Sequence, residues 1–175
     1  MRPFNEEKAT QACAYLLAKA PGGCVPYIKA LKLLYFFERE CLKQTGYSST
    51  GDTFFIMKHG PVLSNTMDLM REEEQPDDRS VWHQHIQTGN FDLKLKGEPK
   101  FDLLSLGEKE ILESLWAQYG SWDKWAVVRV ADELPENIRI ESGRVDLGVT
   151  EILEHQGTPR DAAMAQENEI GALSW

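Results

Sequence analysis

The sequence predicts a mainly helical α+β fold: a compact helical domain around a buried central helix, with a small two-stranded β ribbon packed on it. Three observations predict this class. Between Leu31 and Phe37 six of seven side chains are apolar, so a helix drawn through them is apolar on nearly every face and needs neighbours on several sides. Two short stretches have strand character instead: 53–57 (TFFIM) is β-branched and aromatic, and 91–96 (FDLKLK) alternates apolar and polar residues with period two. Finally, Ser105-Leu106-Gly107-Glu108 forms a capping box ahead of Ile111, Leu112, Leu115, Trp116 and Tyr119, which marks the start of a further helix.

Taken in order, the first helix is opened by Asn5 as N-cap, with Glu6 and Glu7 in its first turn and Ala9, Ala12, Cys13, Leu16, Leu17 and Ala20 at helical spacing. Pro21-Gly22-Gly23 breaks it. Pro26 suits the first position of the central helix and Gly46 the left-handed residue after its end, so the two helices should form a hairpin. Residues 47–52 read as a polar loop and 53–57 as a strand that stops at Gly60-Pro61. Pro61 then suits the first position of a helix carrying Val62, Leu63, Thr66, Leu69 and Met70. The charged run 71–79 (REEEQPDDR) reads as a solvated linker. Residues 91–96, with Phe91, Leu93 and Leu95 inward, are the expected mate of strand 53–57; a two-stranded ribbon is marginal alone and must pack on helices. After the capping-box helix, Gly120 is a stop and Ser121 a cap for a helix carrying Trp122, Trp125, Ala126 and Val128, ended by Leu134-Pro135. Helices are expected again over 149–156 and 159–171, the second with Thr158 as N-cap.

At 175 residues, 42% hydrophobic and 27% charged, the chain matches one globular domain able to bury roughly 70% of its unfolded surface. The net charge of −9, from 28 acidic and 19 basic residues, repels phosphate backbones and anionic lipid, which argues against direct nucleic-acid binding and against a membrane partner. Cys13, Cys24 and Cys41 are odd in number and scattered, as reduced thiols are; Cys24 and Cys41 lack a nearby His or basic cluster and read as small buried residues. Glu6, Glu7 and Lys19 spoil the 12–20 stretch as a signal peptide. A cytoplasmic location is expected.

The search for chemistry yields little. No Walker-type or G-x-G-x-x-G loop is present. His83-Gln84-His85 would put two imidazoles on one face of an extended segment, and His59 and His155 are further candidates if the fold collects them. Asp52 and His59 flank the 53–57 strand, either as an acid and base pair or as turn and strand-end residues. These residues define the weaker alternative, a metal-dependent hydrolase. Glu38, Arg39 and Glu40 read as the wet side of the central helix. Trp116, Trp122 and Trp125 have helical spacing; one left exposed would make a protein-partner anchor.

The run KLLYFFERE, the polar turn and TGDTFFIMKHGPV followed by a helix resemble the Panacea domain, the SocA-like antitoxin family. The likeness continues through Trp82, His85-Ile86, the 92–96 strand ending near Pro99, Leu104-Ser105 with Glu108, Tyr119-Gly120, Trp125 and Glu133-Leu134-Pro135-Glu136. It covers residues 5–137, leaving 138–175 as a C-terminal extension expected to be helical and packed on the same domain. Where the family often shows a His before E-L-P and a Trp after P-E, this chain has Asp132 and Asn137. The resemblance implies an antitoxin that neutralises a cognate toxin by direct contact, the toxin usually being encoded by the adjacent gene. Some relatives instead act as proteolytic adaptors that deliver a toxin to a protease. Neither role implies catalysis, a cofactor or a metal. On this reading Tyr47, Thr50, Asp52, Lys58, His59, Asp132 and Asn137 are the expected partner-binding residues.

Overall fold

The computed structural model describes residues 3–71 and 80–172; the linker expected over 71–79 therefore lies outside the described residues from 72 onward. Helix α1 (Glu6–Lys19) starts where expected, with the Asn5 side chain accepting from the Lys8 amide at 2.9 Å. The turn through Pro21-Gly22-Gly23 leads into a short strand, β1 (Cys24–Pro26), before α2 (Tyr27–Thr45). Pro26 is thus the residue before the helix rather than its first turn. Gly46, at φ 79°, closes α2 by donating its amide to the Leu42 carbonyl, as a left-handed C-terminal glycine does.

The central position of α2 is borne out. Leu31, Leu33, Leu34, Tyr35, Phe36 and Phe37 are all buried, because α1, β3 (Gly60–Leu63), α5 (Leu106–Tyr119), α6 (Lys124–Asp132) and α7 (Val149–His155) surround the helix. Of Glu38, Arg39 and Glu40, expected on its wet side, Glu38 is buried and the other two are half-buried; Lys29 and Lys32 are buried as well.

The strand pairing departs from the predicted ribbon. Strand β2 (Phe54–Met57) turns through Lys58-His59 into β3 (Gly60–Leu63), where the sequence suggested a helix opening at Pro61. Pro61 is tolerated because β3 is the edge of a sheet ordered β3-β2-β6, with β6 at Val145–Leu147, and an outward-facing position on an edge strand needs no amide for the ladder. Helix α3 (Ser64–Arg71) starts only after it. The period-two segment becomes β5 (Asp92–Leu95), which pairs with β1 and with β4 (Ile86–Thr88) in a second sheet, not with β2. Within it Leu93 is fully buried, but Phe91, expected inward, precedes the strand and is 67% exposed.

Helix α4 (Val81–His85) leads into β4. Helix α5 (Leu106–Tyr119) carries both reciprocal bonds of the predicted capping box. Its successor α6 (Lys124–Asp132) is capped at Asp123 rather than Ser121, so Trp122 lies in the turn before it. After Asn137 the chain supplies β6 (Val145–Leu147), antiparallel to β2, then α7 (Val149–His155) and α8 (Arg160–Ala172). Gln156 Nε2 ties α7 to the Arg39 carbonyl at 2.8 Å, and Gln166 Nε2 ties α8 to the Gly46 carbonyl at 2.8 Å. Cys13 and Cys41 are buried, whereas Cys24 is exposed on β1. Among the described residues no helix is long and apolar enough to cross a membrane.

Candidate functional site

The polar residues of α2 explain how the marked segments are held. Lys29 Nζ donates to the carbonyls of Gly120 and Trp122, both at 2.8 Å, and lies 5.3 Å from the Trp116 ring centroid. One turn on, Lys32 Nζ donates to the Pro61 carbonyl at 2.8 Å. Burial pushes the Lys32 ammonium down to about 8, against the opposing pull of Asp132. Tyr35 donates to Glu136 Oε1 at 2.9 Å, and Arg39 reaches both Glu136 oxygens, from Nε at 2.6 Å and Nη2 at 3.2 Å. The last residue of E-L-P-E is therefore a buried anchor on the central helix, with charge-assisted bonds.

Glu38 holds the loop over 48–52. Its carboxylate accepts from the Ser49 amide at 2.6 Å, the Thr50 amide at 3.0 Å and the Thr50 hydroxyl at 2.6 Å. Burial pushes it up to about 7 despite these three donors, with the charge of Asp52 adding to the rise. Gly51 turns the chain at φ 76° and donates to Ser48 Oγ at 3.1 Å. The Ser49 hydroxyl donates to Glu108, the capping-box residue, which also pairs with Lys8 at 2.8 Å.

Asp52 completes this region as the cap of α3. Oδ1 accepts from the Thr53 and Asn65 amides at 2.8 Å each and from Asn65 Nδ2 at 3.1 Å, while Oδ2 accepts from the Thr66 amide at 3.0 Å and hydroxyl at 2.7 Å. The helix is thus capped from a loop more than ten residues upstream, which is why Gly60-Pro61 misleads as a start signal. Thr50 and Asp52 are both buried, so any part they play in partner binding runs through the loop they shape. Tyr47 sits half-exposed beside α8 and donates to Glu169 at 2.6 Å.

The other expected residues gather at the far end of β2. Lys58 and His59 are exposed in the β2–β3 turn. The His59 ring meets Trp125 edge-on at 6.0 Å, and Lys124 Nζ lies 5.6 Å from the Trp125 ring centroid. Trp125 is 46% and Trp122 41% exposed, large values for residues that usually bury their rings. Asp132 packs under the same turn: a Cβ added at Gly60, whose φ is 95°, would stand 2.8 Å from Asp132 Oδ1. Asn137 Nδ2 donates to the Asp132 carbonyl at 2.9 Å. Lys58, His59, Asp132 and Asn137 therefore cluster around the β2–β3 turn, where His59 meets Trp125, whereas Thr50 and Asp52 lie in the buried 48–52 loop and Tyr47 beside α8.

The residues of the hydrolase alternative are not assembled. His83 and His85 lie two positions apart on a helix, about 200° around its axis, rather than on one face of a strand. His83 is buried, His85 half-buried and His155 exposed. Asp52 spends both oxygens on the α3 cap, and His59 faces Trp125. Among the described residues no group of three or more His, Cys, Asp or Glu side chains is placed to hold a metal ion.

Fold and site together define a helical α+β domain whose charged residues hold loops and whose open aromatic face is bordered by cations. The chain belongs to the antitoxin SocA-like, Panacea domain family, whose model matches residues 31–136. No curated protein and no solved structure matches it. The matched span starts in α2 and ends on Glu136, the residue bound by Tyr35 and Arg39. Sequence reasoning missed this anchoring; the signal for it was a lysine, a glutamate and an arginine inside a helix apolar on nearly every side.

Proposed function

We propose that this chain is a cytoplasmic, non-enzymatic antitoxin that neutralises a cognate toxin by direct protein–protein contact, using no cofactor. Family membership supports the antitoxin role. The observation that carries the contact surface is the half-exposed Trp125, which meets the exposed His59 beside Lys58, with half-exposed Trp122 three residues before it in the chain. Tryptophan is enriched among the anchors of protein interfaces, and a rim of cations adds orientation. Asp132 and Asn137, where the chain departs from the family pattern, lie at the border of this face and tune which toxin is accepted.

The test is to express the adjacent reading frame alone and together with this chain. Growth arrest by the neighbour, relieved by co-expression and accompanied by copurification, is the expected result. A harmless neighbour that does not copurify sinks the proposal. Toxin half-life in the same cells separates blocking, which leaves it unchanged, from delivery to a protease, which shortens it.

A further inference from the structure

Between the 48–55 segment and the C-terminal elements lies a cleft of about 500 Å³, walled by Phe55, Leu147, Val149 and Ile170, a volume in the range of ligand sites. Its charged lining is unbalanced: Asp52, Asp146 and Glu167 against a single cation, Arg144. Asp52 is committed to the α3 cap. Glu167 accepts from the Val149 amide at 3.2 Å and from the Thr150 hydroxyl, fixing its carboxylate at the wall. Asp146 is exposed on β6 and makes no side-chain bond or ion pair among the described residues.

Arg144 does not pair with these acids. Its guanidinium lies 4.8 Å from the Phe55 ring centroid, although the residue as a whole is exposed. The chain itself thus places a guanidinium on the apolar, acid-rimmed wall of the cleft. We propose that this cleft is a recognition site for an arginine-bearing, otherwise apolar peptide segment, and that Arg144 is the internal stand-in for that arginine. An incoming guanidinium takes the face of Phe55 and pairs with Asp146 and Glu167, its planar fork matching carboxylates. The flanking apolar side chains rest on Leu147, Val149 and Ile170, and Arg144 swings out to solvent. An exposed cation–π contact is weak enough to be exchanged in this way. The net charge of −9 favours approach of a cationic segment. This site is separate from the Trp122–Trp125 face and stands or falls without a toxin in hand.

The test is an NMR titration of the ¹⁵N-labelled full chain with acetyl-Leu-Arg-Leu-amide, with acetyl-Leu-Glu-Leu-amide as control. The expected result is saturable shifts at the Gly51, Thr53 and Gly148 amides with the arginine peptide and none with the glutamate peptide. Arg144→Ala should tighten binding about threefold by removing the internal competitor. Asp146→Asn, an exposed change that spares the fold, should weaken it about two- to fivefold. Should Arg144→Ala disturb cross-peaks across the protein, Arg144→Gln replaces it with the same expectation. Equal binding of the two peptides, shifts confined to other regions, or an arginine-144 variant that binds no tighter overturns the proposal.

Discussion

The 48–52 loop and the Lys58-His59 turn are separated in sequence by little more than β2, yet they are opposite kinds of structure. In the loop every marked side chain is turned inward: Thr50 binds Glu38, Asp52 binds five donors on residues 53, 65 and 66, and Ser49 binds Glu108. In the turn both side chains are exposed, and His59 leans on a half-exposed tryptophan. A single motif thus combines residues that build the surface with residues that form it. The contrast predicts large stability effects and indirect functional effects for the loop, and the reverse for the turn.

The largest effect is expected from Asp52→Ala, which strands the amides of Asn65 and Thr66 and uncaps α3. A loss of at least about 3 kcal/mol in denaturant unfolding is predicted, and a loss below about 1 kcal/mol would show that the loop is not held as described. Gly60→Ala comes next, because a side chain at φ 95° is strained and its methyl would meet Asp132 Oδ1 at 2.8 Å. About 2 kcal/mol of destabilisation should appear by thermal melting.

A pH dependence should distinguish the two regions further. Glu38 titrates near 7 in the fold against an ordinary 4.5, so the folded chain retains a proton that the unfolded chain has released. Its contribution is full below about pH 4.5 and is lost as pH rises through 7. The stability of the parent relative to Glu38→Gln should therefore fall by about 2 kcal/mol between pH 5 and pH 8. Lys32, lowered to about 8, runs the opposite way, but it is common to both proteins and cancels in the difference. A flat difference would mean that the three donors from the loop, rather than burial, govern Glu38.

The smallest stability effect is expected from Lys58→Glu, His59→Ala and Trp125→Ala, each within about 0.5 to 1 kcal/mol of the parent. Their effect should lie instead in toxin binding.

The fold class, the central helix and the capping box were legible because each rests on local signals: an apolar run, Gly46 after it, and Ser105 with Glu108. The sheets were not, because partner choice is non-local. Strand β5 alternates as a strand should, but nothing in 91–96 says that its mates are the three-residue strands β1 and β4. The start of α3 was hidden for a related reason, its cap being Asp52 from an earlier loop. At the site, His59 was legible as a strand-end residue, Lys58 as part of the family motif, and Asp132 and Asn137 as departures from a family pattern. Their convergence with Trp125 was not, because the second arm of the hairpin, β3, begins with Gly60-Pro61, a signal for a helix start.

The most direct test of this division is the affinity of the Lys58→Glu/Trp125→Ala double variant for the product of the adjacent reading frame, the proposed toxin, measured by calorimetry on protein whose melting temperature matches the parent. Loss of these two proposed anchors should weaken binding at least about a hundredfold while the fold stands. Parent-like affinity in that folded variant would contradict the account.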